Sequence, residues 1–370
     1  MNHSCQPNVA ARFEVRWAGA PARWFRWVRS LLVLPGLHTR LPLPQRSLAA
    51  AASPAPPPPP PPHDGPPRVT LLLLLQGGTL AVRTLEAVPA GEPLLHCYGP
   101  QVGEMTTAQR RAMLQQQYHF ACACRACAAA ASGGPAAALV DAAPAGLRCP
   151  AARGGSPPCE GAVLPAAVVP AGMLHRYALP SGSGACCSCG APLSAVQWEQ
   201  QVLPDLALAA EAYAGAMALL EAERQRGQAA VDGGRNSGSS APAEAQQAIR
   251  TLRQCLRQRQ QLLHPRSLLL GATHDALAHA WHLAGNAEAA AQHLRHSLAV
   301  LEHAYPPHST AAAYQRQQLA LALRLAAADA AAGGAGGAAG GLLDEARSAE
   351  EEADAVLEAH FGSRAAALEG

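Results

Sequence analysis

Cys122, Cys124 and Cys127 place three thiols within six residues. That spacing is too tight for fold-spanning disulfides and suits the wrapping of one metal ion. Structural zinc takes four ligands in a tetrahedron, so one more must come from elsewhere in the chain. A second group, Cys149, Cys159, Cys186 and Cys189, lies among turn-forming Gly and Pro and reads as a small zinc ribbon. Its step from Cys149 to Cys159 is wide, as though a knuckle carries the insertion Ala151–Pro158, and Cys187 is an alternative ligand. Cys97 and Cys255 read as buried thiols. His274, His279, His282, His293 and His296 recur at helical spacings. No carboxylate or cysteine joins them in a recognisable ligand set, so they read as helix-surface residues.

These groups need elements to hold them. Val9, Ala11, Phe13, Val15 and Trp17 alternate with polar or small residues, the period of a half-buried strand. Residues 18–67 turn irregular and end in the unbroken run Pro56–Pro62, which favours extended polyproline and reads as an inserted disordered loop. Val69–Gln76 and Thr79–Leu85 flank Gly77-Gly78, a hairpin pattern. A helix is expected from Thr106 or Thr107 to about Gln117, with Met113, Leu114 and Tyr118 as its buried side. From Asp205 onward helical segments near 205–226, 244–263, 267–284, 287–304, 309–328 and 342–360 are separated by Gly, Pro or Ser breaks. Gly233–Ser240 and Gly333–Gly341 read as flexible linkers. Trp281, Gly285, Ser297, Leu301, Ala304 and Pro306 fall close to the tetratricopeptide pattern.

Composition limits the function. A net charge of +2 excludes a polybasic nucleic-acid binder working by bulk electrostatics. No unbroken stretch reaches the roughly 18 apolar residues of a membrane span, and the polar start is unlike a secretory signal. Eleven cysteines in that setting favour a reducing compartment, cytoplasmic or nuclear, and metal ligation over disulfides. All basic residues are arginine and there is no lysine.

Four motifs stand in order: Asn2-His3-Ser4-Cys5-Gln6-Pro7-Asn8; Gly91-Glu92 with Leu94; Tyr98 within His96-Cys97-Tyr98-Gly99-Pro100; and Tyr118-His119-Phe120 leading into Cys122, Cys124 and Cys127. The set resembles the C-terminal half of a SET domain with its post-SET zinc motif. More narrowly, it is similar to the SET-and-MYND-domain family of protein-lysine methyltransferases, in particular its fourth, repeat-bearing branch. The resemblance covers residues 2–17 and 77–127 through motif order and spacing, and the helical tail loosely. It implies an α+β fold. Residues 1–120 would form the C-terminal half of the β-rich SET domain, 121–200 the post-SET and second cysteine-rich zinc region, and 201–370 an α-helical TPR-like array.

The same resemblance implies S-adenosyl-L-methionine and Zn2+ as cofactors. It supplies Cys5 as the fourth ligand to Cys122, Cys124 and Cys127. Asn2 and the His3 backbone would hold the cofactor, and Phe120 would pack on its adenine. Tyr98 would be catalytic, orienting the lysine amine, with Tyr118 lining the lysine channel. The partner would be a protein substrate presenting a lysine, with a peptide or chaperone on the helical tail, and neither nucleic acid nor membrane. The family's Gly-x-Gly cofactor strand and MYND module would precede the Asn-His-Ser-Cys motif. The chain therefore reads as N-terminally truncated, expected to bind the cofactor poorly and to be inactive alone. A different class of function is a non-catalytic interaction module built on the helices. A RING-type ligase fits less well, because Cys-x-Cys-x-x-Cys lacks the His-bearing alternation of interleaved zinc sites.

Overall fold

A computed structural model describes residues 2–14, 70–75, 78–153, 159–167, 181–233, 241–334 and 336–362. The expected insertion at 18–67, residues 234–240 of the first linker and residues 154–158 of the knuckle lie outside these. The opening turn begins with a short strand, β1 (Asn2–His3), and the alternation after it forms β2 (Val9–Glu14). The leucine run forms β3 (Thr70–Leu75) and pairs antiparallel with β4 (Gly78–Thr84). Gly78 pairs with Leu75, so it is a strand residue and not part of the turn; the connection is residues 76–77, outside the described residues. β4 is the middle strand of the order β2-β4-β3. Its adjacent Ala81 and Val82 point to opposite faces, and both are buried. β5 (Leu95–His96) pairs parallel with β1, His96 opposite His3.

Helix α1 (Thr107–Tyr118) starts at a capping box, in which Thr106 accepts from the Gln109 N–H and the Gln109 side chain accepts from the Thr106 N–H. It ends at His119 with φ 59°. Leu114 faces inward as expected, but Tyr118 is 45% exposed and Met113 is only half-buried. The inward residue instead is Arg110, 2% exposed. Its guanidinium donates to the Met105 carbonyl and to Thr107 Oγ1 and pairs with Asp141 at 3.6 Å. Helices α2 (Arg125–Ala131) and α3 (Pro135–Ala142) follow. Then β6 (Leu147–Arg148), β7 (Ala162–Ala167), β8 (Ser181–Cys186) and β9 (Pro192–Leu193) form a second antiparallel sheet in sequence order.

The helical half begins earlier than its periodicity suggests. Ser194 caps a turn at Ala195–Gln197, a π-turn follows at Trp198–Val202, and α4 continues over Leu203–Gly233. This run, Ala195–Arg226, is long and apolar enough to cross a membrane by length and composition alone. Glu199, Asp205 and Glu211 interrupt its apolar residues. Its Trp198, Val202 and Leu206 enter a core with Leu147, Val163 and Leu193 of the second sheet, with Leu262 and Leu270 of the helices and with Leu263 between them. α5 (Ala241–Leu262), α6 (Leu268–Leu283), α7 (Ala287–Ala304), α8 (Thr310–Ala332) and α9 (Gly336–Phe361) then pack each on the next. Gly285 serves the α6–α7 turn, with φ 75° and open space around it. The second linker is largely absent: Gly336–Gly341 is helical. Glycine costs about 1 kcal/mol in a helix, offset here by packing of Leu342, Ala346 and Ala349 against α8. α9 also lies on β2 and β4, so the last helix covers the first sheet.

Candidate metal centre and aromatic site

The opening turn is sewn to residues 93–102 by the backbone and one side chain. Ser4 N donates to the His96 carbonyl at 3.1 Å, Asn8 N to that of Leu95 at 3.1 Å, and Val102 N to that of Cys5 at 3.1 Å. The buried Asn8 accepts from Leu95 N at 2.7 Å and donates to the Pro93 carbonyl at 3.2 Å. Each such bond contributes about 1 kcal/mol net, and together they fix where His3 and Cys5 point. Asn8 carries no chemistry, and its clamp is invisible in sequence because a polar residue in a turn usually faces water.

His3, Tyr98, Tyr118 and Phe120 meet beside this seam. Tyr98 lies 5.1 Å from His3 and 5.1 Å from Tyr118 between ring centroids. Phe120 lies 5.7 Å from His3 and meets Tyr98 edge-on at 6.4 Å. Tyr98 N donates to His3 Nδ1 at 3.1 Å, which leaves the proton on Nε2, 3.3 Å from Cys5 Sγ. Burial lowers the His3 pKa, keeping the ring neutral. Tyr118 donates its hydroxyl to the Tyr98 carbonyl at 3.2 Å, which explains why it lies on the surface and not in the helix core. The Asn2 backbone pairs with Leu95, while its side chain lies outside the described residues.

The four thiols of Cys5, Cys122, Cys124 and Cys127 converge within 4.8 Å of one another. Cys5 Sγ is 3.9 Å from Cys122 Sγ and 3.7 Å from Cys127 Sγ. A tetrahedron with zinc–sulfur bonds of 2.3 Å has sulfurs about 3.8 Å apart, close to the two separations from Cys5, so the donor set fits such an ion. The thiols cannot all ionise unaided. A hydrogen bond shared with Cys124, then burial, pushes Cys5 well up, and the same bond holds Cys124 down at about 3. Leu114, Tyr98, Val102 and Phe120 close an apolar wall around the group. The buried Arg110 sets a positive charge in range of Cys5 and Cys127, and Arg111 donates to the Cys127 carbonyl at 3.1 Å. Arg110 is a second residue that sequence reasoning missed, since a helical arginine ordinarily signals solvent.

Cys149, Cys159, Cys186 and Cys189 form the second group, also within 4.8 Å. Cys149 and Cys189 sulfurs are 3.5 Å apart, and those of Cys159 and Cys186 3.7 Å. N–H groups of Gly161 and Ser188 point at the Cys159 and Cys186 sulfurs. Burial, foremost, raises Cys149 to about 12. Cys187 turns away toward Ser188 Oγ and lines a cavity of about 360 Å³ between α1, α3 and the β7–β8 pair. That cavity is walled mainly by alanine and lies apart from the aromatic residues. Cys97 is half-buried near the Pro100 carbonyl, and Cys255 is buried and donates to the Ala209 carbonyl. The histidines do not all stay separate on the surface: His274, His293 and His296 come together.

Each cysteine group is braced by a corner of the helical array. Gly103, beside Val102, has φ 90°, and a Cβ there would strike the Ala304 carbonyl and the Tyr305 ring at the end of α7. His308, in the same corner, has its ring beside the Pro7 backbone. For the second group, Leu147 bridges Leu263, and His264 Nε2 lies 3.1 Å from the Glu160 carbonyl.

No family model matches the chain. Among curated proteins it is similar to Protein-lysine N-methyltransferase SMYD4 of Danio rerio, 38% identical over 73 residues, 20% of this chain and 10% of that protein. The protein of the same name from Homo sapiens is 24% identical over 244 residues, 65% of this chain and 24% of that protein. That from Mus musculus is 45% identical over 51 residues, 14% of this chain and 6% of that protein. The chain thus spans about a quarter or less of the length of the curated relatives it matches. Four matches of one name, reached by a chain whose aromatic and cysteine motifs meet in space, support a relationship to the SMYD protein-lysine methyltransferases.

Proposed function

We propose that the chain carries the C-terminal part of a SET-type active site for S-adenosylmethionine-dependent methylation of protein lysines. The convergence of His3, Tyr98, Tyr118 and Phe120 against the four-cysteine group is the observation that carries this reading. In the reaction a neutral lysine amine would bond to the methyl carbon as the carbon–sulfur bond to the sulfonium breaks, the sulfur leaving as a neutral thioether and the proton of the resulting methylammonium passing to solvent water. Nothing covalent is asked of the protein, so its work is alignment and exclusion of water. Tyr98 presents a hydroxyl that can orient the amine lone pair, and Tyr118 narrows the approach beside it. Phe120 offers an apolar face for an adenine, and Asn2 with the His3 backbone offers polar groups for the amino-acid end. S-adenosylmethionine would supply the activated methyl group. Cys5, Cys122, Cys124 and Cys127 would hold a structural zinc that fixes the turn bearing His3. Cys149, Cys159, Cys186 and Cys189 would hold a second. The first two sheets would be half of a SET domain, and α4–α9 a TPR-like array that selects protein partners.

The test is methylation of a peptide pool by a polypeptide spanning the full length of these relatives. Tyr98→Phe should lower the rate by about 10²–10⁴-fold with the melting temperature unchanged. Full activity in that variant would take the catalytic role from Tyr98, and no methylation by the unaltered full-length polypeptide would leave the non-catalytic interaction module as the better reading. Residues 1–370 alone are expected to be inactive, and turnover by them would refute that part. Because residues 1–370 contain no lysine, automethylation cannot contribute to a signal from that chain alone. The eleven cysteines, free of disulfides in the structure, support placement in the cytoplasm or nucleus.

A further inference from the structure

Three of the nine histidines in residues 201–370 converge although no cysteine or carboxylate accompanies them. His274 lies on α6, and His293 and His296 lie one turn apart on its neighbour α7. The Nδ1 atoms of His274 and His293 are 2.9 Å apart. The His296 ring stacks 4.8 Å from that of His274, tilted by 32°. A contact that short between two imidazole nitrogens requires one to donate and the other to accept. The acceptor lone pair and its neighbour therefore already point into a shared space.

We propose that His274, His293 and His296 form a site for one divalent transition-metal ion of the zinc, nickel or copper class, linking α6 to α7. Imidazole nitrogen is a favoured ligand for this class. Metal–nitrogen bonds of about 2.0 Å in a tetrahedron set nitrogens about 3.3 Å apart, so the pair at 2.9 Å needs to open by only a few tenths of an ångström. His296 is exposed, and its ring, 4.8 Å from that of His274, has to change rotamer to reach the ion. The remaining position is left to water, which makes the site unlike either closed four-cysteine group. The charge that opposes a cation here is Arg253 of α5, and it is drawn aside over the Trp281 ring, 4.9 Å from its centroid. The site is independent of the methyltransferase reading.

Cobalt(II) titration of the purified chain, with both cysteine groups first filled with zinc, tests it. One further equivalent should bind, giving ligand-field bands without sulfur-to-metal charge transfer. His274→Gln/His293→Gln should weaken that uptake by more than the roughly 10–100-fold that loss of an outer-shell hydrogen bond costs a metal site. No further uptake, uptake showing only thiolate charge transfer, or equal uptake by a folded double variant would overturn the proposal. Should the double variant lose its helical circular dichroism, the unaltered chain still decides. Zinc should protect His274 and His293 from diethyl pyrocarbonate in peptide mass maps, and equal modification with and without zinc sinks the assignment.

Discussion

The first cysteine group joins Cys5 to thiols 117 and 122 residues away, whereas the second closes spans of 27 and 40 residues. Loop length by itself separates them little: each doubling costs about 0.6 kcal/mol, so the difference is about 1 kcal/mol. Burial and what hangs on each group separate them more. Cys5 and Cys127 are fully buried, and the turn they hold carries His3 against Tyr98. Cys189 is exposed, and the second group fastens strands that already share hydrogen bonds and a core with Trp198 and Leu263. The first group is thus expected to decide whether a site exists, and the second to stiffen a sheet that has other support.

The comparison breaks most easily at its largest effect. Cys5→Ser should remove one zinc per chain and cost several kcal/mol of the roughly 10–16 kcal/mol that a structural zinc contributes. Near-ultraviolet circular dichroism of the aromatic residues should collapse with it. Cys189→Ser should lose a zinc while leaving that signal in place, and equal losses from both variants would erase the distinction. Next is the brace: Gly103→Ala, which forces a side chain against Ala304 and a left-handed backbone, should destabilise by about 1–3 kcal/mol. Limited proteolysis should then cut first near Cys5 and not near Cys149. A pH effect follows in size. Burial holds His360, whose Nε2 lies 2.8 Å from the His308 carbonyl, below its ordinary 6.5. The unfolded chain then takes up a proton before the folded one does, so this contribution is full above pH 6.5 and is lost as pH falls below it. Melting temperatures between pH 7.5 and 5 should show a shallower decline in His360→Gln. Thr106→Ala removes the capping box of α1 and should cost about 1 kcal/mol, read as a small shift in the urea midpoint.

The helices were legible because their apolar residues repeat at the helical period, and four of the five inter-helix breaks carry Gly, Pro or Ser where the structure turns, the fifth lying outside the described residues. Gly336–Gly341 misled because local propensity favours a linker, and only packing on α8 makes it helical. Tyr118 misled in the other direction: its place at the end of α1 matched an apolar stripe, yet its hydroxyl bonds Tyr98. Asn8 and Arg110 were unreadable because a buried polar side chain looks like a solvated one until its partners are known.

From the residues alone came the thiol-rich composition, the strand and helix periods, and the tight Cys122–Cys127 spacing, since each is set by neighbours within a turn or a strand. Tertiary structure decided which distant thiol completes that trio, which faces of α1 and α9 are covered, and that His274 meets His293. Those outcomes depend on contacts between segments far apart in the chain, and no local pattern encodes the geometry in which such segments pack.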